Sequence, residues 1–230
     1  MSKDRLESVA RVAELLDYFL AQPGDAGVSE ISRSLGYSKS VIHRMLTTLE
    51  AHGYVSATET RRYQLGFKAL QLGVVALSRL DIRNLALPYM ERLRAMTAET
   101  VNLSVRVETR RVYIESLESP QEIRQRVELG REMPLYLGAS SKAILAFLPE
   151  KEREHILRTA DGMVTASGVP LSADKMRDEL RMIRQRGYAF TQSERLLGAF
   201  SIAAPVFDHR GDVKGSISIS GPVMRWNPAM

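Results

Sequence analysis

The sequence predicts an α+β protein, with a small helical N-terminal part, a helical linker and a C-terminal domain built on an antiparallel sheet. Two observations lead to this prediction. Apolar residues recur with the 3.6-residue period of helices up to about residue 98. From Thr100 onward, stretches with the two-residue period of strands are separated by further helices. We therefore expect three segments, which cover residues 1–66, 67–98 and 99–230.

The composition is that of an ordinary globular protein. Of the 230 residues, 44% are apolar and 26% are charged, with a net charge of +5, which argues against disorder and is compatible with a polyanionic partner. The absence of cysteine excludes disulfides and thiolate chemistry. No apolar run is long enough to span a bilayer, and no secretory pattern opens the chain. We expect a cytoplasmic protein.

The first elements are three helices, the last two of which meet at a tight turn. Residues 5–20 carry apolar side chains at helical spacing. Ser29 is a suitable N-cap for the next helix, which Gly36 ends because glycine enters the left-handed conformation at little cost. Ser38 then caps a third helix that we expect to run to Gly53.

The third helix has one apolar and one polar face, and a basic hairpin follows it. Residues 54–58 and 61–65 predict two short strands, with Arg61 and Arg62 near their turn, which together form the wing of a winged helix-turn-helix. Short hydroxyls approach bases closely and cations neutralise phosphates, so the polar face suits a major groove. The DNA-binding candidates are Ser38, Lys39, Ser40, His43, Arg44, Thr47, Arg61 and Arg62.

An alternative is that this helical pair never touches DNA, because polar helix faces are usually just solvated. The order of helix, turn, capped helix and basic hairpin is less common, however, and the charge distribution supports DNA binding. Residues 31–68 contain six cations (Arg33, Lys39, Arg44, Arg61, Arg62, Lys68) and two acids (Glu50, Glu59), whereas residues 1–30 contain three cations and six acids. We therefore predict double-stranded DNA as a partner.

A helical linker and then a sheet are expected after the wing. Residues 67–79 and 81–97 form helices, the second interrupted by Pro88, and their apolar surface exceeds what one small domain could cover. A second copy of the chain is a plausible cover, and a dimer would read two half-sites. The remaining elements are strands at 100–107, 111–117, 122–129, 188–194, 200–207 and 213–220, and helices at 139–147, 150–159 and 172–186.

The last strands carry unusually small side chains on one face. Ser216, Ser218 and Ser220 share a face in one strand, Ser201 lies among alanines in the preceding strand, and Thr191 lies in the strand before that. One interpretation is a concave, hydroxyl-lined pocket for a small molecule. The other is a plain serine-rich face exposed to solvent. The pattern alone does not decide between them.

Several stretches resemble the IclR (isocitrate lyase regulator) family of bacterial transcription regulators. They are RVAELLDYF, SEISRSLGYSKSVIHRMLTTLEAHGYV and RRYQLGFKALQLG in the N-terminal half, and PLYLGASSKAILAFLP, IRQRGYAF and IAAPVFDHRGDVKGSISISGP in the C-terminal half. The resemblance covers nearly the whole chain. It implies a GAF-like effector-binding domain, a homodimer or a homotetramer built as a dimer of dimers, and an effector that is a small organic or aromatic acid.

The resemblance also implies where the effector binds. The expected contacts are Gly138, Ala139, Ser140, Thr191, Ser201, Ser218 and Ser220, with Leu129 and Tyr136 as candidate apolar walls. Amides at the start of the 139–147 helix would receive an anion, assisted by Arg124 and Arg126. The hydroxyl-rich lining would equally hold a neutral sugar-like or phenolic compound, and the sequence does not choose between them. The chain departs from the family pattern at Ser141, where a glycine is more usual, and the family's closing helix after Gly221 and Pro222 is expected to be absent.

No catalytic or cofactor-binding constellation is found. None of the four histidines belongs to a spaced metal pair, and Ser140-Ser141-Lys142 does not have Ser-x-x-Lys spacing. Phosphate loops and dinucleotide fingerprints are also absent. We therefore expect a ligand-responsive regulator without enzymatic activity, cofactor or metal. An enzyme with an appended winged helix and a ligand-independent DNA-binding regulator are the alternatives.

Overall fold

The computed structural model describes residues 6–22, 24–78 and 81–227. The chain divides into two compact units, Met1–Leu80 and Asp81–Met230. The predicted linker falls across this division, because its first helix lies in the first unit and its second helix in the second. The assignment of separate roles to residues 1–66, 67–98 and 99–230 stays a prediction.

The first unit contains four helices and a two-stranded hairpin around one apolar core. Its elements are α1 (Glu7–Ala21), α2 (Val28–Leu35), α3 (Lys39–Ala51), β1 (Val55–Ala57), β2 (Tyr63–Leu65) and α4 (Phe67–Ser78). Leu15, Phe19, Ile31, Ile42 and Leu46 are buried together in this core. Of the apolar side chains predicted to form a stripe along residues 5–20, Val12, Leu15 and Phe19 lie in or against this core. Leu6 and Val9 are exposed, so the prediction is wrong at the start of the stripe.

The turn between α2 and α3 follows the sequence prediction, but the start of α2 does not. Gly27, not Ser29, is the N-cap: the Gly27 carbonyl accepts from the Glu30 N–H at 3.0 Å, and the Glu30 carboxylate accepts from the Gly27 N–H at 3.1 Å. Gly36 ends α2 with φ of 73°, which confirms its predicted left-handed conformation. Ser38 caps α3 as predicted, its hydroxyl accepting from a first-turn N–H at 3.4 Å.

The second unit is an α+β domain around a six-stranded antiparallel sheet, as predicted. Its helices are α5 (Asp81–Thr97), α6 (Ala139–Leu145), α7 (Glu150–Ala160) and α8 (Ala173–Arg186). Its strands are β3 (Thr100–Val107), β4 (Arg110–Leu117), β5 (Glu132–Pro134), β6 (Ala189–Gln192), β7 (Ala199–Phe207) and β8 (Val213–Pro222). The strand order is β5-β4-β3-β8-β7-β6, and every neighbouring pair is antiparallel.

Helices cover both faces of this sheet. α6 packs on β6, β7 and β8 and is followed outward by α7 and α8, which enclose a core that includes Leu145, Leu157 and Ile183. α5 packs on β3, β4 and β8. The Arg83–Glu115 ion pair places α5 on the opposite face, because Glu115 pairs with Leu103, whose side chain points away from α6.

One predicted strand is wrong. Residues 122–129 are not a strand, and the edge of β4 is taken instead by Glu132–Pro134. Arg124 and Arg126 both pair with Glu118, which holds residues 122–129 as an ordered connection. In the described parts of the chain, no helix is long and apolar enough to cross a membrane.

Candidate nucleic-acid interface and ligand cavity

The outer face of α3 carries the polar residues that the sequence predicted for DNA contact. Ser38, Lys39, Ser40, His43, Arg44 and Thr47 are all exposed. The Ser38 and Ser40 hydroxyl oxygens lie 3.0 Å apart, and His43 Nδ1 lies 3.5 Å from Thr47 Oγ1. Within the described ranges neither Lys39 nor Arg44 forms an ion pair, so both cations are available to phosphates.

The two wing arginines differ in their surroundings. Arg61 lies in the β1–β2 turn with φ of 57°, is exposed, and forms no ion pair with a described residue. Arg62 is bound inside its own unit. Its guanidinium donates to both Glu30 oxygens at 3.1 and 2.8 Å and to the side chain and carbonyl of Asp25 at 2.8 and 3.1 Å. The hydrogen bond to the Glu30 carboxylate and, to a smaller extent, the one to the Asp25 carboxylate raise the pKa of Arg62.

These contacts change the interpretation of Arg62. A bidentate guanidinium–carboxylate pair is a geometrically specific link, and here it joins β2 to the start of α2. Because two carboxylates already surround the cation, its charge is balanced within the unit. The expectation that Arg62 binds the DNA backbone stays untested, and its contacts favour a role in holding the wing in place.

A cavity lies in the second unit between the start of α6 and the sheet. The cavity is narrow and partly open to solvent. Among its lining residues are Gly138, Ala139, Ser140, Thr191, Ser201, Ser218 and Ser220, which are seven of the predicted effector contacts. Leu129 and Tyr136 do not line it. Leu129 is exposed, and Tyr136 packs against the core around α6.

The serines of β8 face this covered side of the sheet. Ser216, Ser218 and Ser220 are at most 9% exposed, and the Ser216 hydroxyl donates to the Ser140 carbonyl at 3.1 Å. The alternation of β8 therefore points its hydroxyls under α6, while Ile217 on the other face is half-buried. The solvent-face interpretation is wrong for these three residues.

The main cation in the cavity wall is Arg111, which the sequence analysis missed. Arg111 is only 1% exposed, and its guanidinium donates to Ser141 Oγ at 2.7 Å, Ser104 Oγ at 3.0 Å and the Tyr113 hydroxyl at 2.9 Å. Arg111 Cζ also lies 4.3 Å from the centroid of the Tyr113 ring, which is a cation–π contact. Burial lowers the pKa of Arg111. In the described parts of the chain it has no carboxylate partner.

Ser141 holds this arginine in place. The Ser141 hydroxyl accepts from Arg111 and donates to the Pro134 carbonyl at 2.8 Å. The serine that departs from the family pattern is thus one of the three residues that orient the cation. A second arginine, Arg195, also lines the cavity, half-buried, and its charge contributes to lowering the pKa of Arg111.

The other expected sources of positive charge contribute less to the cavity than Arg111. Arg124 and Arg126 pair with Glu118 and are not among its lining residues. α6 has only seven residues, which is shorter than predicted, so its amide dipole is a small source of charge compared with Arg111.

The single tryptophan provides a built-in probe of this region. The ring of Trp226 contacts those of Phe190 and Phe200 in tilted arrangements, with ring centroids 4.5 and 5.0 Å away. Because Phe200 lines the cavity, a single ring separates the cavity from the fluorophore.

A winged helix-turn-helix in one unit and an α+β domain with a polar cavity in the other are typical of a transcription regulator, and comparison with known proteins identifies the family of this chain. The model described as "IclR helix-turn-helix domain" matches residues 8–59, and the one described as "Bacterial transcriptional regulator IclR C-terminal" matches residues 74–229. The chain therefore belongs to the IclR family of bacterial transcription regulators.

Individual relatives agree with this assignment. The HTH-type transcriptional regulator KipR of Bacillus subtilis is 34% identical over 95% of this chain and 87% of its own length. The crystal structure of the Thermotoga maritima IclR is 32% identical, with a TM-score of 0.76 over 98% of this chain and 91% of its own. An IclR homologue from Microbacterium hydrocarbonoxydans, solved with 4-hydroxybenzoate, shares the fold at 22% identity, with a TM-score of 0.87 over 97% of this chain and 92% of its own.

Proposed function

We propose that this regulator binds a small carboxylic acid in the cavity beside α6, and that the acid changes its affinity for the operator DNA read by α3. The protein would work beside its DNA, in the cytoplasm. In this scheme α3 and Arg61 contact the DNA, Arg62 holds the wing in place, and Arg111 binds the effector.

The observation that carries the effector assignment is the isolated charge of Arg111. Burying a cation without a paired anion is expensive, and three hydroxyls compensate only part of the lost hydration. A guanidinium has five N–H donors, of which three are used here. A carboxylate entering the cavity would receive the remaining donors and neutralise the charge. A neutral sugar or phenol would leave that charge uncompensated, so we favour acids among the ligand classes.

The DNA assignment is supported by the free polar surface of α3. Its short hydroxyls, and two cations that form no ion pair with a described residue, lie on one exposed face, which is the arrangement that a major groove accepts. Changing Ser40 or His43 should alter sequence preference, whereas changing Arg44 should also weaken binding to every duplex.

We further propose that two copies associate through α4, and that such dimers pair into tetramers. Phe67, Leu70 and Val74 are each more than half exposed, and so much apolar surface on one helix is typical of an interaction surface. A dimer would present two α3 helices to two half-sites. Replacing Leu70 by lysine should halve the molecular mass of the assembly measured by light scattering. An unchanged mass would contradict the proposal that the chains associate through α4.

The effector would act by stabilising one relative arrangement of the paired chains. A ligand shifts such an equilibrium only through unequal affinity for the two arrangements. The expected coupling between acid and DNA is therefore reciprocal, so DNA changes the affinity for the acid by the same factor.

The test is a thermal-shift panel of acids with matched neutral compounds. The panel includes benzoate, 4-hydroxybenzoate, propanoate and lactate, with benzamide and glycerol as neutral controls. An acid present at about 100 times its Kd should stabilise the second unit against unfolding by roughly 2.7 kcal/mol. Arg111→Gln should weaken its binding about 10- to 100-fold, because it removes charge-assisted hydrogen bonds.

The matched control is Arg110→Gln. Arg110 is the neighbour of Arg111 on β4, but its side chain is exposed and pairs with Glu132. This variant should bind acids like the wild type. Equal losses in both variants would contradict the assignment of Arg111. Silence across the panel would favour a ligand-independent regulator, and turnover of any panel compound would favour an enzyme with an appended winged helix.

A further inference from the structure

Two arginines line the cavity beside α6, and they come from different parts of the sheet. Arg111 lies on β4, whereas Arg195 follows β6 and is half-buried. In the strand order β4-β3-β8-β7-β6, three strands lie between these two positions. Two of the three, β7 and β8, contribute Ser201, Ser218 and Ser220 to the cavity wall. The two cations therefore reach the cavity from opposite sides of its hydroxyl-lined wall.

The turn that carries Arg195 is fixed against the start of α6. Ser193 and Gly198, with φ of 50° and 71°, lie at the two ends of this turn, and the Gly198 N–H donates to Ser193 Oγ at 3.1 Å. The Arg195 Cβ lies 3.9 Å from the point that a Cβ on Gly138, the N-cap of α6, would occupy. Within the described ranges the Arg195 guanidinium has no hydrogen bond or ion pair. It is thus held at the cavity by its backbone and has its donors free.

The acid in the cavity wall, Glu194, does not neutralise either arginine. Both of its carboxylate oxygens lie 2.9 Å from Lys142 Nζ, so the ammonium compensates its charge. Burial and, to a smaller extent, the like charge of Arg195 lower the pKa of Arg111, so the two cations are close enough to repel each other. The described residues therefore leave two positive charges in the cavity uncompensated.

Two cations on opposite sides of one cavity favour a ligand with two anionic groups. One carboxylate accepts a bidentate pair from one guanidinium. Once a carboxylate neutralises Arg111, the charge of Arg195 remains without a partner in the cavity. A second carboxylate on the same molecule would pair with Arg195 at a high effective concentration, because the first contact already holds the molecule in the cavity. It would also remove the repulsion between the two arginines.

We infer that the effector is a short dicarboxylic acid, with one carboxylate on Arg111, the other on Arg195 and its carbon chain along the serines of β7 and β8. This inference rests on the proposed function, because it deepens the assignment of the effector at the same cavity. Arg195 is then a specificity-determining residue that separates dianions from monoanions. Because Arg195 is half-exposed, added salt screens its contribution more than that of the buried Arg111.

The experiment compares dicarboxylic acids with their half-amides, which have nearly the same shape and one charge fewer. The pairs are succinate with succinamate, glutarate with glutaramate, and terephthalate with 4-carbamoylbenzoate. Each compound is titrated into the full-length protein at neutral pH and low salt, followed by calorimetry and tryptophan fluorescence. We expect at least one diacid to bind about 10-fold or more tightly than its half-amide, because it adds a second charge-assisted pair.

The key variant is Arg195→Gln, which removes the charge and keeps a polar side chain. The preference for the diacid should fall to about threefold or less, while the half-amide binds about as in the wild type. Arg210→Gln is the matched control, since it removes the same charge from an exposed arginine in the β7–β8 turn, outside the cavity wall. It should keep the preference. Arg195→Lys retains the charge and should keep most of the preference, which gives a second measurement if the glutamine variant does not fold.

The outcomes separate this inference from the proposed function. If acids bind through Arg111 but no diacid is preferred over its half-amide, or if Arg195→Gln keeps the wild-type preference, the role of Arg195 is overturned and the acid site stands. Equal weakening of a diacid and its half-amide in Arg195→Gln would also overturn it, because both arginines would then hold one carboxylate. So would a loss of preference in Arg210→Gln equal to that in Arg195→Gln, since net charge would then select the diacid. If no acid binds, or if Arg111→Gln binds acids like the wild type, the proposed function itself fails.

Discussion

The two adjacent arginines of the wing should respond differently to the same substitution. Arg61 is exposed and forms no ion pair with a described residue, whereas Arg62 is held by Glu30 and Asp25. A cation that neutralises a phosphate releases counterions, and each such contact contributes about −0.9 to the slope of log K against log salt. Arg61→Ala should therefore make the slope shallower by about 0.9 per bound protomer. Arg62→Ala should leave the slope unchanged.

The difference is large enough to measure. Between 50 and 200 mM salt, a slope change of about 0.9 corresponds to a change of roughly 3.5-fold in the affinity ratio of wild type to variant. Fluorescence anisotropy with a labelled duplex of arbitrary sequence is sufficient, because this electrostatic contribution does not depend on sequence. Circular dichroism of each variant gives the matched check of folding.

A shallower slope for Arg62→Ala in a folded protein, equal to that for Arg61→Ala, would contradict the different roles of the two arginines. Arg62 would then contact phosphate despite its ion pairs. An unchanged slope for Arg61→Ala would instead remove the wing tip from the DNA interface.

Substitutions elsewhere test the remaining parts of the fold. Arg225→Ala leaves the buried Glu99 carboxylate without its bidentate partner and should destabilise the second unit by about 2–4 kcal/mol, seen as a lower urea midpoint of tryptophan fluorescence; an unchanged midpoint would contradict this. Leu46→Ala should lower the free energy of unfolding of the first unit by about 2–5 kcal/mol, measured by calorimetry. A loss below about 1 kcal/mol would mean that neighbouring side chains fill the space left by the leucine. The hydrogen bond from the Lys214 ammonium, and to a smaller extent those from two backbone N–H groups, lower the pKa of Asp208 from 3.8 to about 2. The ionised Asp208 therefore stabilises the folded protein above about pH 4, and this contribution to the free energy of unfolding is lost as the pH falls towards 2. Asp208→Asn should flatten this acid-induced loss in circular dichroism, and a wild-type profile would argue against it.

The winged helix could be predicted because its signals are local. Gly36 and Ser38 each set the backbone of a turn through their own conformation or side chain, independently of distant residues. The role of Arg62 could not be predicted in this way. Its partners lie 37 and 32 residues earlier in the chain, and only the folded hairpin brings them together.

The cavity was predicted in outline but without its main cation. Arg111 stands beside Arg110 in the sequence, and a pair of arginines at the start of a strand is usually solvated. The signal that was available is alternation, since Arg111 and Tyr113 share a face that Arg110 does not. Arg111 becomes buried because that face also carries Ser104 from β3 and lies against Ser141 of α6, which are pairings that one strand does not reveal.

The missing strand at 122–129 has a similar cause. Its alternating pattern was sufficient for a strand, but a strand also needs a free edge, and Glu132–Pro134 occupies the edge of β4. Side chains and carbonyls of residues 122–126 instead bond to neighbouring segments, as when Gln125 accepts from the Thr100 hydroxyl at 2.8 Å. Competition between segments for one edge cannot be read from either segment alone.

The most direct test of the account is the effect of the best-binding acid on DNA affinity in the wild type, Arg111→Gln and Arg110→Gln. The duplex would be an operator selected from a random library. We predict that the acid changes the Kd for this duplex in the wild type and in Arg110→Gln by the same factor, and leaves the Kd of Arg111→Gln unchanged at the same acid concentration. An equal change in all three proteins would contradict the claim that the acid acts through the Arg111 cavity.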